Sequence, residues 1–328
     1  MGRALRAIGH TGWQAGHMCG RYAASRRTED LVEEFEIEAT EGPGPGTDPA
    51  AAEPDYNVAP TKLAPVVLER RPRPAAHTSD AVPASDSGGS EDGEDRDDAE
   101  LPGVADPVAQ AEPDDRPVRW LRLLTWGLVP SWAKDRSIGS RMINARAETL
   151  LDKSFRKATL TRRCLVPADG WYEWQPSPSE TDAKGKPRKQ PFYIEPIAAV
   201  PIAFAGIYEF WRDPAVHPDD PAAWLTSYAV ITTAAEPGLD RIHDRMPLAL
   251  PADRWDDWLD PELREEDAVR ALLAPPLAGR FMAVPVSTRV NAVANNGPEL
   301  VAPLPREQLH GVLDPQTGEL IGGDSPLF

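Results

Sequence analysis

The stretch from about Pro72 to Pro117 limits the architecture of this chain more than any other feature. It is rich in Pro, Ala, Ser, Gly, Asp and Glu and carries no Phe, Tyr or Trp before Trp120. Such a segment cannot bury enough apolar surface to offset the entropy of ordering it, so it reads as a disordered acidic insertion. The segments on either side, "APVVLER" and "RWLRLLTWGLVP", are apolar and β-branched or aromatic, and read as strands. The insertion is therefore expected to elaborate a hairpin connection.

Further strand candidates are "RCLVPADGWYEW", "QPFYIEP", "IAFAGIYEFW", "SYAVITTAA" and "FMAVPVS". Helical spacing appears in "RRTEDLVEEFEI", which puts Leu31, Val32 and Phe35 on one face with Thr28 as N-cap. It appears again in "AETLLDKSFRKA" and "PADRWDDWL". "EGPGPGTDPAAAEPD" (41–55) and "QPSPSETDAKGKPRKQ" (175–190) read as long loops. Many strands with a few helices and no regular βαβ alternation give an α+β fold: a curled, barrel-like, mostly antiparallel sheet flanked by helices.

Two cysteines, Cys19 and Cys164, make neither a disulfide framework nor a metal cluster, and the six histidines are not spaced as ligands. The expectation is an intracellular, cytoplasmic protein without metal or cofactor. No run of eighteen apolar residues exists to span a membrane. Residues 1–17 carry two arginines but lack the apolar centre of a secretory signal. They read as a weak targeting segment, or as an extension that is cleaved or lies upstream of the true start.

The formal net charge is −17, but it is unevenly placed. Residues 77–116 hold thirteen Asp/Glu against two Arg, a local −11, whereas residues 117–163 hold eleven Lys/Arg against three Asp/Glu, a local +8. A polyanion would feel that basic band, so the acidic total does not exclude nucleic acid.

Four polar stretches carry candidate chemistry: "MCGRY" (18–22), "INAR" (143–146), "ADGWYEW" (168–174) and "IHDRMP" (242–247). Strand alternation puts Trp171 and Glu173 on one face. A carboxylate beside a large ring in a half-dry cleft has its pKa raised, which suits a general acid/base; the alternative is a strand-end Glu in solvent. His243, in a proline-bounded loop beside Asp244, is either a catalytic group or a structural hydrogen-bonder. Asn144 and Arg146 project from one side if "INAR" is extended, while Asn144 caps a helix if it is not. Cys164, in an apolar strand, reads as core.

Cys19 follows Met18 directly. As an internal residue it is an ordinary small hydrophobe. If translation starts at Met18 and that methionine is removed, Cys19 carries a free α-amine with a pKa near 8, two carbons from its thiol. A 1,2-aminothiol condenses with an aldehyde to an imine, which the thiol closes to a thiazolidine ring. An internal cysteine, with an amide nitrogen, cannot do this.

In order along the chain, "MCGRY", "YNVAPT", "WGLVPSWAKD", "INARAET", "PADGWYEW", "ITTAAE", "IHDRMPLAL" and "VSTRVNAVANNG" resemble the SRAP (SOS response-associated peptidase) family of YedK- and HMCES-like proteins. The resemblance implies one domain over residues 18–303, with the acidic insertion at about 72–117 and residues 304–328 as a C-terminal tail. It implies a monomer that shields abasic sites in single-stranded DNA through a thiazolidine crosslink. In that reading Cys19 is the nucleophile, Glu173 shuttles protons, His243 assists at the sugar hydroxyl and Asn144 holds the cysteine amine. Arg21, Arg146 and Arg245 would contact phosphates, with Pro60 and Trp132 as apolar contacts. "PSWAKD" has one tryptophan where some members carry two.

Three other readings stay open. One is a cysteine peptidase using Cys19 and His243, which needs a thiol–imidazole pair. Another is a non-covalent binder of single-stranded DNA. The last is an abasic-site lyase acting through a transient Schiff base.

Overall fold

Side-chain alternation along five long strands decides the fold, because each strand has two apolar faces and both must be covered. The structure, a computed structural model, describes residues 19–40, 52–71, 116–152, 154–198, 200–217 and 220–322. Its elements begin with β1 (Tyr22–Ala24), α1 (Thr28–Glu34), β2 (Ala39–Thr40), β3 (Asp55–Val58), β4 (Leu63–Arg70), β5 (Val118–Trp126), β6 (Asn144–Arg146) and α2 (Arg156–Thr161). There follow β7 (Arg163–Ala168), β8 (Gly170–Thr181), β9 (Pro187–Pro196), β10 (Ile202–Arg212), β11 (Trp224–Ala234), β12 (Arg245–Pro247) and β13 (Ala249–Leu250). The last are α3 (Trp255–Leu259), α4 (Glu266–Leu272), β14 (Phe281–Pro285), β15 (Val312–Leu313) and β16 (Leu320–Ile321).

The two strands bracketing the acidic stretch pair antiparallel, from Leu63↔Thr125 to Arg70↔Val118. The hairpin expectation holds. Residues 72–115 of the insertion, residues 1–18 and residues 41–51 lie outside the described residues.

Strands β11, β10, β7, β4 and β5 run side by side, and β5 returns to β11 through the parallel rungs Ser227↔Thr125 and Tyr228↔Trp126. The ring closes into a five-stranded barrel, which removes exposed strand edges along its wall. Past Trp126 the chain leaves the barrel at Gly127, whose φ of +121° disfavours a side chain; a Cβ there would lie 2.6 Å from the carbonyl oxygen of Gly139. A second sheet, ordered β14-β9-β8-β1-β3, is wholly antiparallel.

Alternation divides the barrel residues into two cores. Val66, Leu68, Cys164, Val166, Phe204, Tyr208, Tyr228 and Val230 pack with Tyr22, Trp171, Phe192 and Ile194 of the second sheet. Their neighbours Val67, Leu165, Ala205, Ile207, Ala229 and Ile231 face outward under the helices, against Leu31, Phe35, Ala158, Trp255 and Trp258. Phe35 stacks on Trp255 with centroids 4.4 Å apart. The α+β, barrel-like, mostly antiparallel reading is correct, and Cys164 is core as expected.

Several local expectations are corrected. Helix α1 is capped by Arg27, with no side-chain bond, rather than by Thr28. Only Leu31 and Phe35 of its apolar face are fully buried, and Val32 is half-buried. "RCLVPADGWYEW" is two strands in different sheets. The break falls at Asp169, whose carboxylate accepts bonds from Ser25 N, Ser25 Oγ and Arg26 Nε. The loop expected at 175–190 is a hairpin of β8 and β9, because Asp182 accepts from the backbone N–H of Lys184 and Lys186, and Gly185 supplies the positive φ of the turn. Residues 304–322 of the expected tail pack on the domain: Leu309 and Val312 are buried in the shared core, and the Gln175 amide pairs with both backbone groups of Leu313.

Candidate functional site

Strand β1 lies between β3 and β8, with Tyr22 opposite Trp171 and Ala23 opposite Gly170. That register extends towards the start of the described chain, where Tyr172 N donates to Arg21 O at 3.0 Å. It brings Cys19 against Glu173. Strand β8 approaches β9 closely at Gly170, where a Cβ would lie 2.4 Å from the carbonyl oxygen of Ile194.

The backbone nitrogen of Cys19 donates to Glu173 Oε1 at 2.8 Å. Both residues are only 3% exposed. Trp171 and Glu173 share a strand face, as alternation requires, and Trp171 is fully buried. Burial pushes the Glu173 carboxyl up to about 8, opposed by its hydrogen bonds from Cys19 and reinforced by Asp244. The solvated-Glu alternative is excluded. Burial and the neighbouring Glu173 also raise the Cys19 thiol well above its ordinary pKa, so it is held as S–H. Cys19 has a φ of +44°, in the left-handed region.

Residues 144–146 are extended and pair in parallel with Val230–Thr232 of β11. The helix-cap alternative for Asn144 therefore falls away. Its Nδ2 reaches Cys19 O at 3.5 Å. Ala145 faces the core beneath the helices, and Arg146 is exposed.

His243 precedes β12 and has a side chain 28% exposed. Its Nδ1 accepts the Arg245 backbone N–H at 3.1 Å, which places the proton of the neutral ring on Nε2. Burial lowers its pKa, partly offset by Asp244. Asp244 Oδ1 lies 3.1 Å from the same Nδ1, but its side chain is 85% exposed, so Asp244 does not serve as a buried orienting carboxylate.

Arg245 is a junction. Its carbonyl faces Cys19 Sγ at 4.0 Å, its N–H fixes His243, and its guanidinium grips Glu148 through two bonds of 2.6 and 2.8 Å. The same guanidinium donates to Thr232 O at 2.7 Å.

Cys19, Glu173, Asn144, Arg245 and His243 thus come together. Arg21 does not face outward as a phosphate contact would. It is 3% exposed, and its guanidinium donates to Asn57 Oδ1 and to the carbonyls of Val290 and Asn291, pinning the 290–297 loop. Trp132 is exposed and Pro60 half-buried. The +8 band is not one surface. Arg119 and Arg162 are paired with carboxylates, and Arg122 and Arg163 are buried. Lys134, Arg136, Arg141 and Arg146 are exposed.

Glu148 and Asn57 were not singled out from sequence. Their partners lie 97 and 36 residues away, and nothing local marks one carboxylate or amide among many. Among the described residues, no group of three His, Cys, Asp or Glu gathers as metal ligands, and no helix is long and apolar enough to cross a membrane.

A closed barrel backed by a second sheet, with a buried cysteine–glutamate pair between them, defines the class. The chain belongs to the SOS response associated peptidase (SRAP) family, whose model matches residues 18–293. Among curated relatives it is 42% identical over 179 residues to "Abasic site processing protein YoqW" of Bacillus subtilis (strain 168), covering 54% of this chain and 74% of that protein. It is 34% identical over 217 residues to "Abasic site processing protein HMCES" of Xenopus tropicalis, covering 59% and 60%. The fold is shared with a crystal structure of a Bacteroides thetaiotaomicron protein at TM-score 0.59 and 20% identity, covering 87% of this chain and all of that one.

Proposed function

We propose that this protein captures abasic sites in single-stranded DNA as a covalent thiazolidine, with Cys19 as the first residue of the working chain. The observation that carries the reading is the contact between Cys19 N and a buried carboxyl titrating near 8. A free α-amine at that nitrogen also titrates near 8. The two groups then share protons as a coupled pair, with the amine able to attack and the carboxyl able to donate.

The amine adds to the aldehyde of the ring-opened sugar to give a carbinolamine. Glu173 protonates its hydroxyl, water leaves, and an iminium forms. The Cys19 thiol adds to the iminium carbon, forming the C–S bond, while its proton passes to the Glu173 carboxylate. The ring nitrogen ends as a secondary amine. Asn144 holds the Cys19 carbonyl, so the nucleophile does not rotate away. His243, with its proton on Nε2, serves the sugar hydroxyl. Exposed Lys134, Arg136, Arg141 and Arg146, with Trp132, fit a single strand through phosphate neutralisation and stacking. Both curated relatives described above bear the name abasic site processing protein.

A peptidase reading lacks support. Cys19 Sγ engages Glu173 and the Arg245 carbonyl, its thiol is held neutral, and His243 Nδ1 is occupied by a backbone N–H. The test mixes a chain started at Met18, with its methionine removed, with single-stranded DNA carrying one abasic site, and runs a denaturing gel. A slow-migrating adduct that is lost in Cys19→Ala and after acetylation of the α-amine supports the proposal. A stable adduct surviving either change refutes it. Strand scission without adduct favours a lyase, and binding with neither product favours a non-covalent binder.

A further inference from the structure

The Arg245–Glu148 pair is positioned as more than a surface ion pair. The Arg245 side chain is 11% exposed, whereas Glu148 is 52% exposed, so the carboxylate lies on the solvent side of the guanidinium. It occupies the two-pronged position in which an oxyanion of a DNA phosphate would bind. The third guanidinium bond, to Thr232 O, does not depend on Glu148 and keeps the fork aimed outward. The Arg245 backbone meanwhile touches both Cys19 Sγ and His243 Nδ1. The pair with Arg245 holds the Glu148 carboxyl below its usual range, so it stays ionised and competes with phosphate at neutral pH.

We propose that Glu148 is a positioning residue. It holds Arg245 as a stand-in for phosphate in the unbound protein and yields that place to the DNA backbone, so that strand binding and alignment of the Cys19–His243 segment are exchanged through one guanidinium. This deepens the proposed function and rests on it.

Glu148→Gln separates two effects. Without the competing carboxylate, binding of undamaged oligo-dT tightens by about fivefold at low salt, the size expected for losing one partly exposed ion pair. The slope of log affinity against log salt steepens by about 0.7, as one more cation becomes available to phosphate. At saturating abasic-site DNA a phosphate holds Arg245 in both proteins, so the single-turnover rate of adduct formation stays within about twofold of wild type, whereas capture at subsaturating DNA becomes faster. Tighter binding and a steeper salt slope with an unchanged rate at saturation are the expected signature, and Glu148→Asp restores the wild-type balance in part. Unchanged affinity and salt slope in Glu148→Gln, or weaker binding and slower capture together, overturn the proposal. If wild type forms no adduct, the capture reading fails, whereas the oligo-dT affinity and salt slope still decide whether Glu148 competes with phosphate.

Discussion

Replacing Glu173 by Gln should change the pH dependence of stability in a way fixed by the site. The wild-type carboxyl is pushed from 4.5 to about 8 by burial, so between those values the folded protein binds one proton more than the unfolded chain. For an acid raised in this way, the stabilising contribution is complete below the unfolded value and is lost as pH rises through the folded one. Each pH unit in that window removes about 1.4 kcal/mol, and the whole shift amounts to about 5 kcal/mol. Gln has the same shape and no such titration. Unfolding in urea between pH 5 and pH 9 should therefore show Glu173→Gln nearly matching wild type at the acid end. Its advantage should grow with pH and level off above about pH 8. Other groups titrate in both proteins and cancel in the difference. In a chain that begins at Cys19, the ammonium replaces the amide at 2.8 Å and favours the carboxylate, so the advantage must grow less steeply. A difference independent of pH, or one favouring wild type at the alkaline end, refutes the burial argument. An identical slope in the longer and shorter chains refutes the pairing with the amine.

Two further outcomes are expected. Asn144→Ala removes the bond to the Cys19 carbonyl, worth about 1 kcal/mol, and should slow adduct formation roughly five- to tenfold in a gel time course with little change in DNA affinity. Arg163→Met removes the guanidinium from the Trp258 ring and takes its bonds from the carbonyls of Trp258, Thr159 and Leu160, so denaturant unfolding should show a loss of about 3 kcal/mol.

What could be read from the sequence follows the range over which each signal acts. The β-branched and aromatic content of "APVVLER" and "IAFAGIYEFW" is a local signal, and both strands are present. The extended form of "INAR" was open because two residues do not choose between a cap and a strand; pairing with β11, more than eighty residues later, decides it. The 175–190 hairpin was missed because its prolines and charges resemble a loop, while the ordering element is a short Asp182–Gly185 turn. The chemistry at Cys19 and Glu173 was visible as motifs, yet the contact between them spans 154 residues. Arg21 misleads most. The family resemblance implies a phosphate contact there, but the guanidinium is enclosed by Asn57 and two loop carbonyls, partners that no local pattern announces. The basic band is only partly a surface, because charge counted along the sequence ignores which side each residue faces: Arg122 and Arg163 are buried, while Lys134, Arg136, Arg141 and Arg146 are exposed.

The left-handed backbone at Cys19 has a thermodynamic consequence of its own. A torsion about the N–Cα bond is defined only while another residue is joined to that nitrogen, and for a side chain with a Cβ this region costs about 1–2 kcal/mol. Cutting the peptide bond ahead of Cys19 abolishes the torsion and its strain while leaving the surrounding sheet in place. That relief is one term by which the backbone at Cys19 favours a chain whose first residue is the cysteine.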